Sequence, residues 1–119
     1  MKRLIQSFCF AFDGVRVIVR EQPNFRIHIL ALIVVSILGY FFEISKMEWL
    51  AVALVSGLVF TAEAFNSALE SAVDLSSPNV HPLAKKAKDM AAAAVLLASI
   101  TAVFVGAIVF GKRFLLLFN

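Results

Sequence analysis

Residues 49–75 read WLAVALVSGLVFTAEAFNSALESAVDL, an apolar run whose second half carries three carboxylates and one carboxamide. The polar members are Glu63, Asn66, Glu70 and Asp74, at spacings of three, four and four. On a helix advancing about 100° per residue they fall within roughly 80° of one face. A charged side chain held in lipid costs at least about 2.5 to 3.5 kcal/mol, so such a row implies a use. The stretch reads as a membrane-spanning helix with a polar stripe.

The rest of the chain supports that reading. It has 119 residues, 61% of them apolar, which is well above an ordinary soluble domain. Two further apolar stretches flank the first, Ile27 to Phe42 and Met90 to Phe110. Each approaches the roughly 20 residues that cross a bilayer core. The expectation is an all-α integral membrane protein, one domain over 1–119. It has an amphipathic surface helix at about 2–21 and spans at about 27–43, 49–73 and 88–110. No cleaved signal peptide is expected, because the first strong apolar stretch follows Arg16, Arg20 and Arg26 with no small-residue cleavage site before it. The lone Cys9 excludes an internal disulfide and reads as an apolar side chain.

Charge sets the orientation. Lys2, Arg3, Arg16, Arg20 and Arg26 precede the first span, and Lys85, Lys86 and Lys88 sit between the second and third. The positive-inside rule makes both segments cytoplasmic. Lys112 and Arg113, near the opposite terminus, run against that rule. The net charge of +3 is explained by this topology without invoking nucleic acid.

Leu4, Phe8, Phe12, Val15 and Val19 share one face of the first helix, opposite most of its charges. Two readings stand: an interfacial anchor on anionic headgroups, or a gate through which a lipid head group reaches a site. Gln22-Pro23-Asn24 breaks that helix. Ser45 to Glu48 fits a capping box, 76–79 (SSPN) a turn, and Pro82 a first helical turn. Small residues in the last span, such as Ala98, Ser99, Ala102 and Gly106, suit close helix contact in lipid.

Two polar groups flank the turn at 76–79. Glu63, Asn66, Glu70 and Asp74 lie on its N-terminal side, and Lys85, Lys88 and Asp89 on the other. Carboxylates facing lysines at a lipid–water boundary suit a metal-bound polyphosphate. Hard carboxylate oxygens bind magnesium, lysine neutralises phosphate, and a further carboxylate accepts a proton from an attacking hydroxyl. The plainer alternatives are an interhelical salt-bridge network and a small ion- or proton-coupled protein using the carboxylates as a relay. No GK[ST] phosphate loop, HRD or DFG set, or GxGxxG is present. His28 reads as an interfacial side chain and His81 as a helix cap; two histidines and one cysteine make a zinc site improbable.

At these residues the sequence resembles the prokaryotic diacylglycerol kinase family of small trimeric membrane kinases. The segment 63–74, EAFNSALESAVD, looks like the family signature ExxNxAxExxxD. The segment 84–95, AKKAKDMAAAAV, resembles the AKD segment opening the family's last span. HPLAK at 81–85 and NFRIH at 24–28 look like the branch that phosphorylates undecaprenol. The resemblance implies an ATP- and Mg2+-dependent kinase for a lipid alcohol, undecaprenol or diacylglycerol. It also implies a homotrimer with shared active sites in the bacterial cytoplasmic membrane. Carried over by motif, Glu63 is the proton acceptor and Glu70 a metal ligand. Arg3, Asn66, Asp74, His81, Lys88 and Asp89 serve ATP. One position departs from the pattern: where the family has a second metal-binding glutamate, this chain has Gln22, with Glu21 one residue earlier.

Overall fold

The computed structural model describes Met1–Asn119 as four helices: α1 (Lys2–Glu21), α2 (Pro23–Phe41), α3 (Lys46–Ser76) and α4 (Pro82–Leu117). There is no strand. The last three are each long and apolar enough to cross a membrane. At about 1.5 Å per residue α3 and α4 run about 46 and 54 Å, well beyond a hydrocarbon core of about 30 Å. Their ends therefore project into the headgroups or water.

Local chemistry fixes each junction. The expected break at 22–24 narrows to one residue. Gln22 has φ −105° and ψ 104°, the extended geometry favoured before proline. Pro23 then opens α2, where its missing N–H leaves nothing unpaired. The first membrane helix thus begins before residue 27 and ends at Phe41 rather than 43. There the Ile44 N–H reaches the Gly39 carbonyl (3.1 Å) and the Glu43 N–H reaches that of Tyr40 (3.2 Å). This is a Schellman closure, with Glu43 at φ 49° where glycine is usual.

The capping box at α3 is formed: the Glu48 N–H donates to Ser45 Oγ (3.2 Å), and the Ser45 N–H to Glu48 Oε2 (2.8 Å). At the other end Ser76 remains helical, so the expected turn shifts to residues 77–81. His81 caps α4, its Nδ1 accepting the Leu83 N–H at 3.1 Å.

The packed core lies at the end formed by the α2–α3 turn and the C-terminal part of α4. Ile44, Val52, Val109 and Phe110 are buried there, with Trp49 and Phe42 against them. Arg113 donates to both Glu48 oxygens at 2.8 and 2.9 Å and also to the Val109 carbonyl. Arg113 therefore runs against the positive-inside pattern as half of an ion pair. Lys112 has no such partner. Toward the opposite end Phe25 of α2 packs at a tilt against Phe60 of α3, ring centroids 5.0 Å apart. Only 12 of 119 residues are buried, and α1 buries none, so most apolar surface is left for lipid or neighbouring protein.

Gly39 sits where α2 meets Trp49. A Cβ there would lie 2.7 Å from the indole ring. Gly39→Ala is expected to destabilise by about 1 to 3 kcal/mol through overpacking. Gly57→Ala, whose added Cβ meets nothing, should not lower stability. Thermal unfolding in detergent compares the two, and equal midpoints would contradict the close approach.

Candidate active site

The row on α3 is graded by depth. Glu63 is 1% exposed, Asn66 is 9% exposed, Glu70 is half-buried and Asp74 is exposed. Helical rise puts Glu70 about 6 Å and Glu63 about 16 Å along the axis from Asp74. Glu63 Oε2 and Asn66 Oδ1 are buried without any hydrogen-bond partner. Buried polar atoms in folded proteins are nearly always satisfied, so two orphans one helical turn apart single out this stretch of α3 as a candidate site. Neighbouring groups are satisfied locally: Ser67 Oγ donates to the Glu63 carbonyl at 2.9 Å and Ser71 Oγ to that of Ser67 at 3.1 Å.

Most of the expected site residues fall into three clefts, but Glu70, half-buried on α3, lines none of them. Glu63 and Asn66 share one with Asn24 and His28 of α2 and Ala92, Val95 and Ser99 of α4. Asp74, His81, Lys88 and Asp89 line a second, at the α3–α4 turn, together with Lys85. Glu21 and Gln22 face a third, between the end of α1 and Ala64, Ser67, Ala68 and Ser71 of α3. That face lies beside the polar row, not on it. Arg3 is exposed in the first turn of α1, makes no ion pair and lines none of these clefts.

The two sides of the turn meet directly. Lys88 Nζ donates to Asp74 Oδ1 across the helices, and Lys85 Nζ to Asp89 within α4. The expected opposition of carboxylates and lysines is therefore present within one chain. His81 holds its capping bond while lining the same cleft. Sequence reasoning gave His28 no role beyond the interface. It is half-buried and lines the cleft that holds Glu63 and Asn66, because α2 packs back on α3 through Phe25 and Phe60. Its spacing of three from Phe25 carried that signal.

No group of three His, Cys, Asp or Glu side chains gathers to cage a metal. The donors present are hard carboxylate oxygens along one stripe. They fit magnesium, which keeps several waters and usually takes only one or two protein carboxylates plus phosphate oxygens.

A family model described as prokaryotic diacylglycerol kinase matches residues 9–110. The undecaprenol kinase of Bacillus subtilis (strain 168) is 37% identical over 110 residues, 92% of this chain and 89% of that protein. The diacylglycerol kinase of Synechocystis sp. is 44% identical over 104 residues, 87% of this chain and 59% of that protein. The diacylglycerol kinase of Escherichia coli K12 is 31% identical over 114 residues, 94% of this chain and 92% of that protein. With four helices in the expected order and the polar row meeting its lysines, the chain belongs to the prokaryotic diacylglycerol kinase family.

Proposed function

We propose that this chain transfers the terminal phosphate of ATP to the hydroxyl of a membrane lipid alcohol, undecaprenol or diacylglycerol, at the cytoplasmic face of the bacterial inner membrane. The N-terminus and the 77–81 turn are cytoplasmic in this reading. The observation that carries it is the unpartnered, buried Glu63–Asn66 pair, lying on the same stripe as an exposed Asp74–Lys88 pair. The stripe leads from water into the apolar interior, as a reaction between a soluble nucleotide and a lipid hydroxyl requires.

The roles follow from depth. Lys88, Asp89, His81 and Asp74 hold the nucleotide at the turn, Lys88 by neutralising phosphate charge. Asn66 steadies the transferred group through its amide. Glu63, the deepest carboxylate, accepts the proton of the lipid hydroxyl as that oxygen attacks. Glu70, between them, holds magnesium with the phosphates. Bound there, magnesium would offset charge on the phosphate oxygens. Glu21 is the candidate for a second carboxylate, since Gln22 carries no charge and forms the α1–α2 junction. Arg3, roughly 27 Å along α1 from Glu21, is better placed to serve a neighbouring chain, in keeping with a homotrimer that shares its sites.

The test uses purified protein in vesicles with labelled ATP, Mg2+ and either lipid. The expected result is labelled lipid phosphate from one acceptor and its loss on chelation with EDTA. Absence of transfer to both lipid alcohols would overturn the reading. Ion flux without ATP consumption would favour a relay instead.

A further inference from the structure

Two ion pairs fix the antiparallel register of α3 and α4, Asp74 with Lys88 and Glu48 with Arg113. Eleven residues before Asp74 stands Glu63, and eleven after Lys88 stands Ser99. Eleven residues are about 16 Å of helix and turn the side chain by only about 20°. Ser99 therefore faces α3 at the depth of Glu63, as Lys88 faces it at the depth of Asp74. Fifteen residues inward from the other pair stand Glu63 on α3 and Ala98 on α4, the latter buried and one position from Ser99. Ser99 also lines the cleft that holds Glu63 and Asn66.

Its hydroxyl is uncommitted. A Ser or Thr inside a helix often donates to the carbonyl four residues earlier. Ser36, Ser67, Ser71, Ser76 and Thr101 all do so, at 2.7 to 3.1 Å. Ser56, Thr61 and Ser99 do not. Of these, Ser56 lies about 10 Å along α3 from Glu63, and Thr61 is exposed. Within the third apolar stretch, Met90 to Phe110, the polar side chains are Ser99 and Thr101. Thr101 is exposed and bonded to its own helix, whereas Ser99 is half-buried on the Glu63 side.

We propose that Ser99 is a positioning residue for Glu63, holding a water that bridges Glu63 Oε2 and Asn66 Oδ1. This rests on the kinase reading above, in which Glu63 is the base, and adds a residue of α4 to that site. Both unpaired atoms are acceptors, so what they lack is donors. Neither has one at bonding distance, so Ser99 acts across a water rather than directly. One water donates a proton to each of the two oxygens and accepts the Ser99 hydroxyl proton. Three polar partners are what a buried water ordinarily takes. With Oε2 held in this way the carboxylate plane is fixed, and Oε1 is left to take the proton of the lipid hydroxyl.

The experiment pairs turnover with infrared spectroscopy on the full chain in vesicles. Ser99→Ala keeps the residue small, so a pure packing role predicts no change in kcat. The expected result is a loss of about tenfold in kcat, the low end for one hydrogen bond to a charged group. The ATP KM and the unfolding midpoint should not change. Ser99→Thr, which restores the hydroxyl, should recover most of the loss. In a Glu63→Gln background, Ser99→Ala should have almost no further effect, because the group it positions is gone. The infrared readout needs neither ATP nor lipid. The carboxyl band identified by its loss in Glu63→Gln should shift in Ser99→Ala and return in Ser99→Thr. Unchanged kcat in Ser99→Ala would overturn the proposal, as would an unmoved band or a full additive loss in the double variant. So would a band that moves in His28→Ala or Asn24→Ala but not in Ser99→Ala, since those two are the donors on the α2 side of the cleft. If the band shifts as expected but wild-type protein phosphorylates no lipid alcohol, the link from Ser99 to Glu63 stands and the kinase reading fails.

Discussion

Glu63→Gln is expected to lower kcat by about 10²- to 10⁴-fold, the usual contribution of a positioned general base. The ATP KM should stay within twofold, since the nucleotide is held at the turn. The substitution keeps volume and helix propensity and removes only the acceptor oxygen and its charge. Stability separates the readings. Glu63 is 1% exposed and its Oε2 has no partner, so a neutral amide should leave thermal stability equal or higher. A buried member of a salt-bridge network would behave oppositely, because removing one partner strands the other at a cost of about 3 to 5 kcal/mol. Turnover and unfolding midpoint on the same preparation decide it. Full activity would exclude Glu63 as the base.

The helices were legible because their signals are local. Apolar runs of membrane length, the Ser45–Glu48 capping box, Pro23 and Pro82 each act within a few residues. Boundaries slipped where backbone detail decided them. Pro23 carries α2 back to its own position, since a proline at the first turn begins a helix as readily as it breaks one. The opposition of Asp74 and Lys88 was also readable, because a five-residue link forces α3 and α4 to run antiparallel.

The place of His28 on the wall of the Glu63 cleft was not readable. It depends on how α2 leans on α3, set by Phe25 on Phe60 and by Gly39 on Trp49, contacts between residues far apart in sequence. The Glu48–Arg113 pair was hidden for the same reason, its members standing 65 positions apart. Once seen, it accounts for Arg113 at the wrong end of the charge pattern. Helical rise from Glu48 to Asp74 is about 39 Å, so the two interhelical ion pairs bracket the α3–α4 hairpin at close to the full bilayer thickness of about 40 to 45 Å. Glu63 lies between them, well inside.

Lys88→Met is expected to reduce kcat/KM for ATP by about 10- to 100-fold, with little change in stability. Hydrogen bonds to charged groups contribute about 1.5 to 3 kcal/mol, which converts to that range. The Lys88–Asp74 pair itself is weak support for the fold: the two side chains are 37% and 64% exposed, and exposed ion pairs contribute about 0 to 1 kcal/mol. Charge reversal sharpens the test. In Asp74→Lys with Lys88→Asp the pair is kept but its polarity is inverted. A purely structural pair would tolerate the exchange and keep activity. A lysine that meets phosphate would not, because the cation now stands on α3 and a carboxylate faces the anionic ligand. The double variant should therefore unfold like wild type and remain as defective in ATP binding as Lys88→Met. Recovery of kcat/KM in the double variant would return the pair to a structural role and move the nucleotide away from the turn.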